Sequence, residues 1–294
     1  MRFDAGLPGR LYLSGLVLAI ALAVLALQML MPGVRILPDI LSPVAPATIM
    51  TVLIMAIICE YVDSALGMGY GTTLTPLLMI LGFDPLQIVP CVLLSEFATG
   101  FSAACMHQID GNVEFIRDRE AQMTALLLSV LSAAGAISAV TLAIHISKTA
   151  LAFVISVIIL LVGIVTLATV NRQLRYKKSH IIMLGALAAF NKALSGGGYG
   201  PLVTAGQVVS GLAPKKAVAV TSLAESATCI IGLAAYWAAG KGIYLALALP
   251  LTMGAMLSVP LATLTVKKAP ERLFRMGVGI ATCILGAWAL LRLL

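Results

Sequence analysis

Charge is scarce in this sequence. Asp, Glu, Lys and Arg make up 11% of its 294 residues, where an ordinary soluble domain carries roughly 25%. So little polar surface cannot cover the core of a soluble globule of this length. Soluble enzymes, nucleic-acid binders and disordered chains are excluded on that ground. Metal-ligating patterns are lacking too. The five cysteines (Cys59, Cys91, Cys105, Cys229 and Cys283) all lie in apolar segments, and none forms a CxxC pair. His107 and His145 sit near the ends of apolar runs without zinc spacing. No disulfide framework, metal site or cofactor is expected. No Gly-Lys-[Ser/Thr] follows a glycine run, so a phosphate-binding loop and a nucleotide-driven pump are absent. The Gly-x-Gly-Asp element of membrane aspartyl proteases and the Gly-x-Ser-Gly of rhomboid-like proteases are missing as well. No catalytic residue is assigned.

What the chain has in abundance is long apolar sequence. Hydrophobic residues reach 61% and the mean hydropathy is +1.06. A membrane-spanning helix needs roughly 20 such residues in a row. Apolar segments run over 11–31, 47–66, 72–81, 86–107, 122–146, 147–170, 181–194, 201–211, 217–239, 243–266 and 273–294. The fold class is therefore all-α, a polytopic membrane protein embedded in a lipid bilayer. The run 11–31 lacks a small-residue cleavage site and reads as a retained transmembrane helix.

An internal repeat organises the rest. A shift of 129 residues aligns Tyr70–Thr99 with Tyr199–Thr228 without a gap. The identical pairs are Tyr70/Tyr199, Gly71/Gly200, Thr75/Thr204, Gly82/Gly211, Pro85/Pro214, Val89/Val218, Leu94/Leu223, Glu96/Glu225, Ala98/Ala227 and Thr99/Thr228. Glycine, proline, tyrosine and glutamate at fixed spacing do not recur through shared hydrophobicity alone. The expected organisation is an N-terminal helix with its connection (1–46), a first repeat (47–170), a basic loop (171–180) and a second repeat (181–294).

Segments 72–81 and 201–211 are too short to cross a bilayer. If each forms a re-entrant hairpin with the segment before it, Lys and Arg outside the spans divide 14 to 4 between the two sides. If each glycine-broken pair instead crosses once, as a single interrupted span, the division is 9 to 9. The excess of positive charge on the cytoplasmic side favours the hairpins. This places the N-terminus inside, the C-terminus outside, and the two repeats in opposite orientation. Inverted repeats with broken helices near the midplane are a pattern of secondary transporters.

Each hairpin is broken by glycine. The first break reads Asp63-Ser64-Ala65-Leu66-Gly67-Met68-Gly69-Tyr70-Gly71-Thr72-Thr73, the second Asn191-Lys192-Ala193-Leu194-Ser195-Gly196-Gly197-Gly198-Tyr199-Gly200-Pro201. Irregular backbone at membrane depth needs protein or a wet cavity to satisfy it. Helices restarting near Thr72 and Pro201 would aim free N–H groups and positive dipole ends at the breaks, which suits an anion. The candidate binding residues are thus Gly67, Gly69, Tyr70, Gly71, Thr72, Thr73, Lys192, Ser195, Gly196, Gly197, Gly198, Tyr199 and Gly200. The alternative for the glycines is close helix packing. For Tyr70 and Tyr199, hydrogen bonding to an oxyanion stands beside plain packing.

With Met68 the first run departs from three consecutive glycines, so the two halves need not contact a ligand alike. The glycine break, short helix, Gly-x-x-Pro turn and Glu-bearing helix, present in both halves, resemble the TauE/SafE family of sulfite exporters. The resemblance covers nearly the whole chain after the first helix. It implies export of sulfite, sulfoacetate or a related organosulfur anion across a bacterial inner membrane.

Charge inside apolar segments is costly and marks function by default. Here it comprises Glu60, Asp63, Glu96, Lys192 and Glu225. Asp63, Glu96 and Glu225, with the polar Gln207 and Ser222, are the candidate coupling or core polar residues. For the repeat-related Glu96 and Glu225, carrying protons stands level with accepting hydrogen bonds at the breaks. For Lys192, pairing with Asp63 or a glutamate is favoured over a free cation awaiting an anion. The expected function is a secondary transporter exporting a small sulfur-containing anion by alternating access, with proton coupling allowed but not required. The rivals are an anion channel or a permease for another small anion and, less favoured, an intramembrane enzyme.

Overall fold

The computed structural model describes residues 7–31, 37–169, 178–200, 203–204, 207, 212–265 and 271–293. Its helices are α1 (Leu7–Leu30), α2 (Pro46–Leu66), α3 (Tyr70–Ile80), α4 (Pro85–Ile109), α5 (Arg119–His145), α6 (Lys148–Thr169), α7 (Lys178–Ser195), α8 (Pro214–Ala238), α9 (Leu245–Thr265) and α10 (Glu271–Leu291). Tyr199, Gly200, Val203, Thr204 and Gln207 are also helical. Among the described residues there is no strand. Pro201, the Gly211 turn and residues 171–177 of the basic loop lie outside the described residues.

Local chemistry sets the boundaries. Proline stands at the start of α2, α4 and α8, where its missing N–H has no helical partner to lose. Gln87 Oε1 accepts from the Asp84 N–H at 3.2 Å and closes the first turn of α4. Asp118 Oδ1 accepts from the Ala121 N–H at 3.1 Å at the start of α5. Lys216 lies 2.5 Å from Asp118 Oδ2, and this ammonium holds the Asp118 carboxyl below its ordinary range. α2 ends where Gly67 turns left-handed, at φ +71°.

Six described helices are long and apolar enough to cross a membrane: Pro46–Leu66, Pro85–Ile109, Arg119–His145, Lys148–Thr169, Lys215–Ala238 and Leu245–Leu264. Their outward faces carry large apolar side chains, among them Ile58, Leu126, Val130, Leu161 and Trp237, each more than half exposed. In lipid that exposure is the favourable state.

α2 is 21 residues long, enough to span by itself, yet the chain turns back after it. Leu37, Leu41 and Val44 before α2 share one apolar cluster with Phe83, after α3, and Tyr244. The α2–α3 pair therefore returns to the end of the bundle it entered from. In the second half, Leu212 packs with Val113, Phe115 and Ala121. These residues flank the start of α5, whose Leu128 and Gly135 lie against Gly185 and Ala186 early in α7.

Helix pairing runs across the halves. α2 packs on α9, α5 on α7, α4 on α8 and α6 on α10. Exchanging α2 with α7, α4 with α8, α5 with α9 and α6 with α10 reproduces the same four pairs. α1 stands outside this scheme, against α2 and α9.

The hairpin arrangement makes a labelling prediction. Single cysteines at Asp84 and Lys215, in a background lacking the native five, are expected to react with an impermeant maleimide from opposite sides of the membrane. Labelling of both from one side would disprove the opposed hairpins.

Candidate functional site

The two breaks meet at the centre of the bundle, backbone against backbone. A Cβ on Gly71 would collide with the Gly196 carbonyl, and one on Gly200 with the Gly67 carbonyl. A Cβ on Gly197 would strike the Thr72 N–H. The contacts are reciprocal, since Gly71 and Gly200 are repeat partners, as are Thr75 and Thr204. Thr204 Oγ1 donates to the Gly67 carbonyl at 3.2 Å, while Thr75 faces Gly196 with its buried Oγ1 unpartnered. Gly71 and Gly200 lie in the first helical turns rather than in the breaks, which span only 67–69 and 196–198. Only residues without a side chain permit an approach this close.

Two N–H groups at the breaks, those of Tyr70 and Gly197, have partners within the protein. α3 begins at Tyr70, two residues before Thr72. Its Tyr70 N–H donates to Asp63 Oδ1 at 3.2 Å. The protein's own carboxylate thus sits at the positive end of the α3 dipole. In the second half the matching residue is the neutral Asn191. The Ser195 hydroxyl bonds the Asn191 backbone carbonyl at 2.9 Å and its side-chain Oδ1 at 3.1 Å. The Gly197 N–H donates to Ser195 Oγ at 3.3 Å.

Lys192 is the centrepiece. It is 1% exposed. Its ammonium donates to Glu225 Oε1 at 2.7 Å and pairs with Glu96 Oε2. α7 carries the lysine, one turn before its break, and α4 and α8 carry the repeat-related glutamates. Asp63 and Glu60 complete the cluster from α2, within the electrostatic reach of the other carboxylates. Glu60 Oε1 accepts from Ser64 Oγ at 2.6 Å. Glu60 Oε2 and Glu96 Oε1 are buried and lack a hydrogen-bond partner.

The remaining candidates take supporting places. The Tyr70 hydroxyl meets Ser95 Oγ at 2.7 Å, and that of Tyr199 meets Ser132 Oγ at 3.5 Å. Both rings are fully buried, so these phenols bind protein atoms. Gln207 Nε2 donates to Thr221 Oγ1 at 2.8 Å, beside the Thr204–Gly67 contact. Ser222 bonds the Val218 carbonyl of its own helix at 3.1 Å, and Thr72 the Gly69 carbonyl at 3.2 Å. Gly198 lies against the Asn191 amide. Gly69 and Thr73 line an apolar cleft of about 280 Å³ with Ile58, Val62 and Val278, which has no charge to offer an anion. Among the described residues no cluster of His, Cys, Asp and Glu suits a metal.

A second polar feature escapes the repeat pattern. His107 is fully buried and its Nε2 lies 3.3 Å from the Ser64 carbonyl. Its Nδ1 lies 3.0 Å from Asn112 Nδ2, and Asn112 also donates to the Thr263 carbonyl at 3.1 Å. Asn112 lines a polar hollow of about 350 Å³ with Arg117, Asp118, Lys215 and Lys216. A polar string thus links that hollow to Ser64 and, through its hydroxyl, to Glu60. The charge of Glu60 inside an apolar run is the one signal of it in the sequence.

The family profile described as Sulfite exporter TauE/SafE matches residues 52–289, from α2 through nearly all of α10. The chain belongs to the TauE/SafE family. It is a multi-pass membrane transporter by that membership and by its helices. It is also 26% identical over 240 residues to a protein of Bacillus subtilis (strain 168) named "Probable membrane transporter protein YtnM". That alignment covers 76% of this chain and 77% of the relative. No solved structure matches this TauE/SafE chain.

Proposed function

We propose that this protein is a secondary transporter that exports a small sulfur-containing anion, such as sulfite, sulfoacetate or a related organosulfonate. One observation carries the reading: a fully buried lysine, held by two repeat-related glutamates, lies where two glycine-broken helices cross. A buried ammonium is the counter-charge a small oxyanion needs in a low-dielectric setting, and intramembrane charge marks the transport path. Membership of a sulfite-exporter family supports a sulfur oxyanion as cargo.

Alternating access by motion of one inverted repeat against the other is supported by the reciprocal glycine contacts and the exchangeable helix pairs. The breaks touch through their backbones and close the centre, which favours a gated carrier over a standing anion channel. The basic asymmetry supports a cytoplasmic N-terminus and an outside C-terminus, and the family supports a bacterial inner membrane.

Reconstituted protein tests the reading. Proteoliposomes loaded with unlabelled anion are expected to accumulate labelled sulfite or sulfoacetate by counterflow, with saturation, and to accept sulfate or acetate poorly. Linear, unsaturable flux without counterflow would identify a channel. Absence of counterflow with every sulfur anion would remove this cargo class.

A further inference from the structure

The buried centre holds more negative than positive charge. The titratable groups facing it are Glu60, Asp63 and the Cys59 thiol on α2, Tyr70 on α3, Glu96 on α4, Lys192 on α7, and Glu225 and the Cys229 thiol on α8, with Tyr199 beside Glu225. Thiols and phenols ionise only in alkali. Four carboxylates against one ammonium would leave a net charge of −3 if all were ionised. Such a charge is untenable away from water and repels any anionic cargo.

The hydrogen bonds sharpen the conflict. Lys192 is 1% exposed, and its ammonium is engaged by Glu225 and Glu96. Two of the ammonium's three donors are engaged and the group is buried, so an oxyanion gains its closest approach by exchanging with one of these carboxylates. The two are not equivalent. Glu96 Oε1 is buried without a hydrogen-bond partner, so a proton placed there breaks no existing bond. Glu225 Oε1 accepts the Lys192 hydrogen bond.

We propose that anion binding and proton uptake are one event: the anion replaces Glu96 on Lys192, and the released Glu96 carboxylate takes a proton from the aqueous phase. This deepens the transporter reading and rests on it. Anion and proton then cross together in the same direction. One proton cancels the charge of a monoanion, so flux follows the anion and pH gradients rather than the membrane potential. The motion that carries the anion away returns Glu96 to Lys192 and expels the proton on the far side.

Titration calorimetry on the purified full chain tests this, with sulfoacetate and thiosulfate as probes because both stay ionised near neutral pH. Binding heats are measured in two amine buffers of different ionisation enthalpy. Wild-type protein is expected to take up about one proton per anion, with affinity falling about tenfold per pH unit as the pH rises. Glu96→Gln should bind anion with no proton uptake and a flat pH profile. Glu225→Gln, equally conservative and equally buried, should retain the uptake. Equal wild-type heats in both buffers would overturn the linkage and leave the transporter reading standing. Uptake lost in Glu225→Gln but kept in Glu96→Gln would overturn the assignment to Glu96. No heat with either anion, on protein that elutes as a folded species, would remove the anion site at Lys192 and the linkage with it.

Discussion

Gly71→Ala and Gly200→Ala are each expected to abolish transport and to lower thermal stability sharply. A single methyl at either position would lie inside the contact radius of a backbone carbonyl from the other break, Gly196 or Gly67. A side chain can rotate away from such a clash, but a carbonyl held in a crossing of two helices cannot. Overpacking a core by a methylene or more costs about 1–3 kcal/mol, and relief here requires the two hairpins to separate. Gly242→Ala is the control, because nothing lies within 4 Å of its Cβ position. Transport activity in proteoliposomes and the melting temperature in detergent provide the two readouts. Wild-type values in both glycine variants would show that the breaks move apart freely and that their contact does not gate the path.

Lys192→Met should have an effect of similar size through electrostatics. Removing one partner of a buried ion pair costs about 3–5 kcal/mol, because the other charge is stranded. Here two glutamates, Glu96 and Glu225, lose their shared counter-charge. The melting temperature is expected to fall. The triple variant Lys192→Met, Glu96→Gln, Glu225→Gln removes the stranded charge. It should regain most of the stability and none of the transport. That split separates a lysine that holds the fold from one that also meets the cargo. In the single variant, sulfoacetate as a dianion should lose more affinity than acetate, since the Coulomb energy scales with ligand charge. Full transport by the triple variant would remove Lys192 from the anion path.

Much of the fold can be read without coordinates because its signals are local. Apolar runs of spanning length mark the helices, and proline or aspartate marks where several begin. Glycine marks the two interruptions, at 67–69 and 196–198. The helix starts are less legible. Tyr70 and Gly71 look like part of the first break, yet α3 already includes them. A glycine followed by helix-compatible residues does not announce which residue first makes a helical hydrogen bond. The intramembrane charges also stand out in the sequence. Their partners do not, since Lys192 and Glu225 come from different helices and the hydrogen bond between them joins residues 33 positions apart.

The sequence by itself determines the helical membrane class, the family, the positions of both breaks and the repeat that relates Glu96 to Glu225. These follow from hydropathy, spacing and self-similarity, which need no neighbours in space. Tertiary structure alone shows what the glycines touch. Sequence spacing favours an anion cradle over close packing at the paired breaks but names no contact. In the fold the breaks press carbonyl against glycine, and the Tyr70 N–H at the first one turns to Asp63. It also decides that the charge centre is Lys192 between two glutamates. The reason is physical: a buried polar group takes the nearest partner that satisfies it, and which partner is nearest depends on how distant helices pack.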